Sequence, residues 1–550
     1  RRHTRYGTVT GVQTCALPIS PKRMLLFKWL MEKSGSSDTS LFQDMCNGFD
    51  LTGTLPESHT FSKKFRPAHL PTETLRGVAK QARFALLSSV KSSGDHALDL
   101  GVYEATLKEQ QKGFVVGPIQ PDTLPDGATL TRRFGVQQKG KVRPIDDYRA
   151  SLVNSAVTQP EAVSIHGVDH IAAMAAELLR SATGRGRSLD LVAKCWDLAS
   201  AYKQVPLSDS AYQLDSFLVV YNPHTEEAEI YQQRVLPFGS VASLTAFLRC
   251  SMAIWHIGSS LLFFTWTAYF DDFLSICESD LARHTEICTS LLFQLLGWGL
   301  STDKLVPYET CCKVLGIELD FTRSPSGSFE VVNTQARREE PCLFIGEILE
   351  KGTLSRPDAE RLRGRLQFAS NHLFGRRFKN CLRELNTHIS RGFKSLTPEL
   401  CAALRMISHL LELNKPRVVD TCHFEWVHLY VDAAYEPAGQ SGIGGLLLAS
   451  DGSCLGFFSE SVSKELVESI KRPDQKTVIF ELEGLAVAIG LSVFHSMLAG
   501  KRVVIFTDNQ AVQSCLIRCK SANLHMDYIV RYVCRQEERL STMAWIERVP

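Results

Sequence analysis

The chain has 550 residues, of which 44% are hydrophobic and 22% charged, a globular composition whose length implies roughly two to four domains. Its formal net charge of +2 excludes a chain that is basic throughout, so binding of nucleic acid must depend on local basic patches. The 16 cysteines form neither a CxxC pair nor a zinc-ligand spacing, which favours reduced thiols in an intracellular protein of the cytoplasm or nucleus.

Residues 1–20, RRHTRYGTVTGVQTCALPIS, match no pattern downstream, and their apolar part is too short and broken for a signal peptide. They resemble translated sequencing-adapter sequence, so we exclude them from the fold. Residues 21–110 contain an apolar helix, MLLFKWLMEK, and a Ser/Thr/Pro-rich stretch whose role the pattern does not indicate. We expect the remaining chain to divide into 111–325, 326–424 and 425–550. No run reaches the roughly 18 apolar residues of a membrane helix, so no membrane partner is expected.

Strand and helix patterns alternate irregularly within residues 111–325, which predicts an α+β fold. The predicted strands there are KVRPIDDYR, LVAKCWDL, FLVVYN, EIYQQRVLP and TAYFDDFLSI, and the predicted helices are VDHIAAMAAELLRS, VASLTAFLRCSMAIWHI and LARHTEICTSLLFQLLGWG. The pattern then becomes helical and basic. A second α/β unit begins near residue 425 with the strands VHLYVDAAY, GIGGLLLASDG and CLGFFSE, the helix ELEGLAVAIGLSVFHSML and the strand RVVIFTDNQ.

Three acidic residues interrupt apolar strands of the first α/β region. Asp271 and Asp272 lie within TAYFDDFLSI, and Asp197 lies within LVAKCWDLASAY. A buried carboxylate without a partner costs several kcal/mol, and converging carboxylates repel each other unless a cation lies between them. Oxygen ligands favour Mg²⁺, and two such ions can activate an attacking hydroxyl and stabilise a leaving oxygen. The alternative is that these acids are turn residues paired with Arg or Lys.

Neighbouring residues on a strand point to opposite faces, so one of the paired acids is expected to face Asp197 unless a hairpin turn relaxes this rule. We choose Asp271 as the direct ligand. Further motifs surround these acids in a fixed order. They are KGKVRPIDDYRASLVN, DLASAYKQVPL, LPFGSVASLTAF, YFDDF, GWGLSTDK and LGIELD. Together these motifs resemble the reverse transcriptase family between about residue 131 and residue 320. The resemblance implies a hairpin at YFDDF and a second hairpin at LGIELD.

The resemblance implies a right-hand polymerase, with fingers and palm, that uses Mg²⁺ or Mn²⁺. Arg143, with Lys139 or Lys141, would hold the triphosphate of the incoming deoxynucleoside triphosphate. Tyr202 would stack under its sugar and exclude a 2′-hydroxyl.

The resemblance assigns two further contacts and the substrates of the reaction. Phe238 and Gly239 would contact template and nucleotide, and Lys304 would donate a proton to pyrophosphate. Partners of such an enzyme are an RNA template, a DNA primer and deoxynucleoside triphosphates.

The segment RLRGRLQFASNHLFGRRFK, 361–379, carries six Lys or Arg residues and no acid. We predict a basic helix here that contacts phosphates along a template–primer duplex. Its candidate contact residues are Arg361, Arg365, Arg376 and Arg377. A solvated charged face is the alternative.

Another set of acids marks the C-terminal region. Asp432 ends the strand HLYVDAAY, Asp508 ends VVIFTDNQ, and the helix between them offers Glu481 and Glu483. The order and the TDNQAV segment resemble the RNase H family over 425–550. Glu483 precedes Ala486 by three residues, as the family's glutamate precedes an alanine, and Glu481 is then expected to be an exposed helix residue. The resemblance implies that Mg²⁺ on these carboxylates activates water to cut RNA in an RNA–DNA hybrid.

TMAWIERVP resembles a family segment that precedes the fourth acid, an aspartate. The sequence ends at Pro550, before that position. We therefore expect a fragment truncated at its C-terminus, and nuclease activity is left unassigned for this fragment. Polymerase, helical connection and RNase H in this order resemble the arrangement in retrotransposons of the long-terminal-repeat or DIRS type. The alternative is a decayed or domesticated element copy that binds nucleic acid without catalysis.

Overall fold

The computed structural model describes residues 21–138, 140–302, 305–421, 426–437, 440–471 and 475–549. Lys139 and Lys304 lie outside these residues, so their predicted roles stay predictions. The chain forms two compact units. The first consists of residues up to Ile171 and of Val192–Glu309, and the second of Ala172–Leu191 and of residues from Thr310 onward. Both units mix helices with sheets, which confirms the α+β class.

The first unit and the helix at its boundary contain eight α-helices and eleven strands among the described residues. The helices are α1 Met24–Ser34, α2 Leu41–Asn47, α3 Thr72–Ser89, α4 His96–Gln111, α5 Val168–Thr183, α6 Asp209–Leu214, α7 Val241–Leu261 and α8 Ala282–Leu296. The strands are β1 Gly53–Thr54, β2 Ser62–Arg66, β3 Val115–Ile119, β4 Leu130–Gln138, β5 Lys141–Asp146, β6 Val157–Ala162, β7 Leu191–Asp197, β8 Phe217–Asn222, β9 Glu227–Gln233, β10 Trp266–Tyr269 and β11 Asp272–Glu278. The helices and strands predicted for this region are thereby confirmed, except that TAYFDDFLSI, predicted as one strand, forms the two strands β10 and β11.

Three sheets organise these strands, in the orders β1-β6-β2, β3-β9-β8-β4-β5 and β10-β11-β7. The third sheet carries the acids of the first set. β10 and β11 pair antiparallel with Tyr269 opposite Asp272, so Phe270 and Asp271 form a two-residue hairpin turn between them. The YFDD segment is therefore a tight hairpin, as the family resemblance implied.

The core of the first unit is built around α7. Ser240 caps this helix by accepting a hydrogen bond from the Ser243 N–H, and residues along most of its length are buried. By length and composition α7 is the one described helix that is apolar enough to cross a membrane, but 72% of its apolar window is buried in the protein. Trp266, Phe273 and Phe293 pack in the same core. Burial of each such ring contributes about 1.5–3 kcal/mol.

The N-terminal segment, whose role the sequence left open, packs into the first unit. Asp38, just before α2, accepts hydrogen bonds from the Arg249 guanidinium of α7 at 2.7 and 2.9 Å. Both side chains are almost fully buried. Breaking such a buried pair costs about 3–5 kcal/mol, so this segment is part of the fold that supports the hairpin.

The second unit contains a helical bundle and two sheets. Its helices are α9 Gln335–Lys351, α10 Arg356–Ser370, α11 Arg377–Arg391, α12 Pro398–Leu413, α13 Lys464–Ile470, α14 Ile479–Val493, α15 His495–Leu498, α16 Gln510–Arg518 and α17 Leu524–Leu540. Its strands are β12 Cys311–Val314, β13 Ile317–Asp320, β14 Ser328–Asn333, β15 Arg417–Asp420, β16 Trp426–Ala434, β17 Ser441–Ala449, β18 Cys454–Val462, β19 Arg502–Thr507 and β20 Met543–Arg548. The sheet orders are β12-β13-β14-β15 and β18-β17-β16-β19-β20.

Two expectations about local structure in this unit have different outcomes. The predicted hairpin LGIELD is confirmed, since β12 and β13 pair antiparallel around Leu315 and Gly316, both at positive φ. The single basic helix predicted for 361–379 is wrong. It is two helices, because α10 ends at Ser370 and α11 begins at Arg377. Gly375 at φ +83° adopts a conformation that an α-helix does not contain.

The five-stranded sheet positions the second set of acids. β16 and β19 are parallel neighbours, with Tyr430 paired with Phe506, so both strands end at the same edge. Asp432 and Asp508 lie two residues beyond this pair. The helix α14 packs against β16 and β17. Acids at adjacent strand ends and on the helix above them are thereby brought to one place.

Candidate active sites

The ends of β7 and of the β10–β11 hairpin are joined by a backbone hydrogen bond. The Leu198 N–H donates to the carbonyl oxygen of Asp271 at 3.1 Å, and the Ser301 N–H donates to the carbonyl oxygen of Asp197 at 2.8 Å. Asp272 opens β11 next to this junction, and all three aspartates are half-buried. The structure therefore brings the backbone of the three acids that the sequence singled out to one end of a small sheet.

The turn that carries Asp271 is held in a strained conformation. Phe270 has a φ of 53°, which costs a bulky residue about 1–3 kcal/mol. Its carbonyl oxygen accepts a hydrogen bond of 2.7 Å from the hydroxyl of Ser251, a buried residue of α7. A core helix thus fixes the backbone immediately before the acid.

An aromatic stack lies next to these acids. The ring of Tyr202 stacks on Phe247 with centroids 4.6 Å apart and contacts Phe238 at the same separation, tilted by 45°. Burial, together with the charge of Asp271, raises the pKa of Tyr202. Phe238 is 47% exposed, so the stack runs from the core to the surface. Such a stack beside carboxylates provides a flat apolar support for a ligand ring.

The loop that carries Phe238 and Gly239 is held by one amide side chain. The Asn154 Nδ2 donates to the Gly239 carbonyl oxygen at 2.9 Å, and the Asn154 Oδ1 accepts from the Val241 N–H at 2.9 Å. Sequence reasoning missed the role of Asn154. The available signal was its place at the end of the RASLVN segment, within the first resembling motif.

Lys141 and Arg143 lie on β5 and are both exposed. They are two residues apart on one strand, so their side chains leave the same face. The strand ends at Asp146, whose carbonyl oxygen lies against Gly239. The cations and the Phe238 loop are therefore parts of one region of the first unit.

A buried ionic network supports this region, and the sequence did not reveal it. Arg133 pairs with Asp146 at 2.7 Å and with Glu109 at 2.9 Å, and Lys203 pairs with Glu109 at 3.4 Å. Burial lowers the pKa of Lys203, and the Glu109 carboxylate beside it opposes that effect. The network ties β4, β5 and α4 to the turn that carries Tyr202.

The second set of acids forms a compact carboxylate cluster. Ligand oxygens of Asp432, Glu483 and Asp508 all lie within 4.8 Å of one another, a spacing that would allow them to hold a metal ion. Glu483 is buried while the two aspartates are exposed. Burial, with the charges of Asp508 and Asp432, raises the pKa of Glu483 to about 7. Oxygen ligands that repel each other this closely fit a hard divalent cation such as Mg²⁺ or Mn²⁺.

The neighbouring acid of α14 has a different role. Glu481 is fully buried, so the expectation of an exposed helix residue is wrong. Both of its carboxylate oxygens accept hydrogen bonds of 3.0 Å from Gln475, and Asn523 donates a further bond. The structure therefore brings Glu483, and not Glu481, to the two aspartates.

Comparison with protein families identifies part of the first region. Residues 135–319 match the family model of reverse transcriptase (RNA-dependent DNA polymerase). This part of the chain is a reverse transcriptase domain. It contains Asp197, Asp271, Asp272, Tyr202 and the Phe238 loop. No curated protein matches the chain.

Two foamy viral structures resemble the whole chain distantly. A protease–reverse transcriptase in complex with double-stranded DNA has 14% identity and a TM-score of 0.44, and the match covers 100% of this chain and 84% of that one. A protease–reverse transcriptase in complex with an RNA/DNA hybrid has 13% identity and a TM-score of 0.45. That match covers 96% of this chain and 63% of the foamy viral chain. Structural similarity at TM-scores below 0.5 does not indicate a shared function.

Outside the reverse transcriptase domain, two of the predicted phosphate contacts are corrected. Arg376 forms a bidentate ion pair with the buried Glu537 and also donates to the Leu516 carbonyl oxygen at 2.6 Å. Arg377 pairs with Glu538 at 3.2 Å. Both guanidinium groups are therefore engaged in fastening α11 to α17, because each faces an acid of that helix.

The other two predicted contacts lie on α10. Arg361 is exposed and pairs with Asp358 at 2.9 Å within the same helix. Arg365 is exposed as well. An exposed pair within one helix contributes about 0.3–0.5 kcal/mol. The Arg361 guanidinium also lies 4.9 Å from the centroid of the Phe344 ring. The predicted contacts of Arg361 and Arg365 with phosphates stay predictions.

Proposed function

We propose that the chain is the RNA-directed DNA polymerase of a retrotransposon, of the long-terminal-repeat or DIRS type, with an attached RNase H-like domain. The observation that carries the polymerase assignment is the junction of Asp197 with Asp271 inside the reverse transcriptase domain. Its proposed partners are an RNA template, a DNA primer and deoxynucleoside triphosphates. Its proposed location is inside the cell, in the cytoplasm or the nucleus.

In the proposed reaction, the primer 3′-hydroxyl attacks the α-phosphorus of the nucleotide. A phosphate–oxygen bond to the primer forms, the bond to pyrophosphate breaks, and the hydroxyl proton is released. Asp197, Asp271 and Asp272 would hold Mg²⁺ or Mn²⁺, which when bound would lower the cost of the attacking alkoxide and of the leaving oxygen. The half-buried position of these acids at two joined strand ends fits such a pair of ions.

The remaining residues of the domain would position the nucleotide. Arg143 and Lys141 would neutralise its triphosphate from the exposed face of β5, since cationic donors bind phosphate oxygens strongly. Tyr202 would support the sugar, and Phe238 with Gly239 would contact the nucleotide and template. Positioning and charge stabilisation account for most of the catalysis in phosphoryl transfer.

A second activity is supported by the carboxylate cluster of the other unit. We infer that Asp432, Glu483 and Asp508 hold Mg²⁺ or Mn²⁺ and orient water for cleavage of RNA in an RNA–DNA hybrid. Their mutual spacing and the raised pKa of Glu483 support a cation at this place. The metal when bound would activate the water, and the three side chains fix its position.

Primer extension on an RNA template tests the polymerase assignment. With Mg²⁺, the wild-type chain should incorporate deoxynucleotides, and Asp271→Asn should reduce incorporation by about 100-fold or more because one metal ligand loses its charge. Asp280→Asn, which changes an exposed aspartate of the same unit, should extend primers like the wild type. Equal incorporation by wild type and Asp271→Asn would contradict the assignment.

The same assay distinguishes the enzyme from the alternative, a decayed element copy that binds nucleic acid without catalysis. A chain that binds primer–template but incorporates no nucleotide with either Mg²⁺ or Mn²⁺ would be a nucleic-acid-binding remnant. The three intact aspartates and the backbone hydrogen bond from Leu198 to Asp271, which joins their strands, favour the enzyme.

A further inference from the structure

A basic groove lies in the second unit, between α11 and the residues that follow α16. Lys379, Arg383 and Arg391 line it from α11, and Arg518 and Lys520 line it from the other side. The groove is open and has a volume of about 520 Å³. The α11 positions differ by four and eight residues, which places them along one face of the helix.

The backbone after α16 orients the second wall. Cys519 ends this helix in the left-handed conformation at φ 55°. Its N–H donates to the Leu516 carbonyl oxygen, and the Lys520 N–H donates to the Cys515 carbonyl oxygen. The Cys519 side chain is buried, while Arg518 and Lys520 on either side of it are exposed. The turn therefore directs two cations outward from a fixed point.

The charge of the groove is unbalanced. Its lining contains five cations, and the other lining residues are Cys519 and neutral polar side chains, without an acid. Arg383 pairs with Asp527, which also pairs with Arg531. Within the described residues, Lys379, Arg391, Arg518 and Lys520 form no ion pair. In a chain with a net charge of +2, such a group of unpaired cations on a concave surface favours an anionic ligand.

The length of the groove fits a repeated anion rather than a single one. From Lys379 to Arg391 the helix rises about 18 Å, at 1.5 Å per residue. One strand of a duplex presents a phosphate about every 3.4 Å along its axis, so about five phosphates span the same length. The neutral lining residue Asn386 supplies an amide donor between the cations, whereas the Ser390 hydroxyl donates to the Asn386 carbonyl oxygen within the helix.

We propose that this groove binds the phosphate backbone of a nucleic-acid strand, independently of sequence. The proposal rests on the proposed function for the class of its partner. It differs from the contacts that the sequence predicted, since Arg376 and Arg377 are engaged in ion pairs with α17. The groove is formed by one helix of the bundle and one turn of the RNase H-like part, both within the second unit.

Binding of a mixed-sequence RNA–DNA hybrid to the full chain, measured by fluorescence anisotropy over a range of salt concentrations, tests the proposal. The triple variant Lys379→Gln, Arg518→Gln, Lys520→Gln should weaken binding, and the slope of log affinity against log salt should decrease by about 2–3. The control triple variant is Lys351→Gln, Arg356→Gln, Lys464→Gln, which removes the same charge from exposed positions of the same unit. It should leave this slope within about one of the wild-type value.

A triple variant that keeps the charges, Lys379→Arg, Arg518→Lys, Lys520→Arg, tests whether a loss of binding comes from misfolding rather than from the loss of charge. It should retain the wild-type affinity, because the proposal requires charge and not side-chain identity. Loss of affinity in this variant, or equal losses in the groove and control triples, would overturn the proposal. A further result would also overturn it. Inorganic phosphate alone would raise the unfolding temperature of the wild type and not that of the groove triple, while the groove triple bound the hybrid with wild-type affinity.

The two assignments fail in different ways. If the wild-type chain extends primers and the groove triple binds the hybrid like the control, the groove proposal is wrong and the polymerase stands. If the wild-type chain binds the hybrid through the groove without extending primers, the groove proposal stands and the polymerase assignment is wrong.

Discussion

The α-carbon of Gly239 faces the carbonyl oxygen of Asp146 so closely that any Cβ atom at residue 239 would overlap that oxygen. Gly239 also has a φ of +93°, a conformation that residues with side chains rarely adopt. Asp146 ends the strand that carries Arg143, and Gly239 follows Phe238. The close approach therefore sets the distance between the proposed triphosphate contacts and the proposed nucleotide support.

Gly239→Ala should destabilise the first unit and reduce primer extension. The positive φ costs about 1–2 kcal/mol for alanine, and the overlap with the Asp146 carbonyl adds about 1–3 kcal/mol. Gly94→Ala is the matched control, since Gly94 has a φ of +88° and no atom lies within 4 Å of the position that a Cβ would take there. It should show the first cost alone in thermal unfolding. Equal destabilisation by both variants would show that the close approach has no energetic consequence.

Tyr202→Ala should relax the choice of sugar. The ring is held against Phe247 and Phe238, so its removal opens space beside Asp271 where a 2′-hydroxyl would lie. The ratio of kcat/KM for ribonucleotides to that for deoxynucleotides should rise about 10- to 100-fold. Single-nucleotide incorporation on one primer–template measures both values.

Tyr202→Phe is the control for this prediction. It keeps the stacked ring, so the sugar ratio should remain within a few-fold of the wild-type ratio. A large change in this variant would assign the selection to the hydroxyl of Tyr202 rather than to its ring.

The features that sequence reasoning predicted well are those set by local pattern. The other strands and the helices of residues 111–325 followed from the residue pattern, whereas the YFDD hairpin was expected from the family resemblance because the pattern alone predicted one strand. The places of Asp432 and Asp508 near the ends of β16 and β19 also followed from local pattern, since an apolar run precedes each acid. Convergence of Asp197 and Asp271 was expected because each acid interrupts an apolar strand, and the family resemblance supported it. The structure joins their strands through the hydrogen bond from the Leu198 N–H to the Asp271 carbonyl oxygen.

The features that were missed depend on partners distant in the chain. Arg376 was expected to contact phosphates, but Glu537, which pairs with it, lies 161 residues away. Glu481 was expected to be exposed because a charged helix residue usually is, but Asn523 reaches it from another helix. The break between α10 and α11 had a visible signal, the glycine at residue 375, which the charge pattern around it obscured.

Arg376→Gln should destabilise the second unit without a direct effect on nucleic-acid contact. It would leave Glu537, whose side chain is 2% exposed, as an unpaired buried charge. Removal of one partner from such a pair costs about 3–5 kcal/mol. Chemical denaturation should detect this loss, and the double variant Arg376→Gln, Glu537→Gln should recover part of it.

Arg365→Gln serves as the comparison, since this arginine is exposed on α10. Its effect on the free energy of unfolding should lie within about 0.5 kcal/mol. If Arg376→Gln were equally mild and instead lowered hybrid affinity, the correction of its role would be wrong.

Mg²⁺ should stabilise the second unit through the carboxylate cluster. In the wild type, Mg²⁺ at about 100 times its dissociation constant should add about 2.7 kcal/mol to the free energy of unfolding. Glu483→Gln removes a buried charge that Asp432 and Asp508 repel, so it should raise the unfolding temperature without Mg²⁺. The same change removes a ligand, so it should abolish most of the increase that Mg²⁺ produces. Thermal unfolding with Mg²⁺ or with EDTA measures both effects.

Glu481→Gln, two residues away on the same helix, separates metal binding from the general loss of an acid. Its carboxylate accepts hydrogen bonds from the amide groups of Gln475 and Asn523, and an amide cannot accept from both in the same geometry. This variant should lower the unfolding temperature without Mg²⁺, because a buried donor loses its acceptor. It should keep the wild-type response to Mg²⁺, since Glu481 lies outside the carboxylate cluster. Identical Mg²⁺ responses in the two variants would place the ion elsewhere and remove the support for the proposed nuclease site.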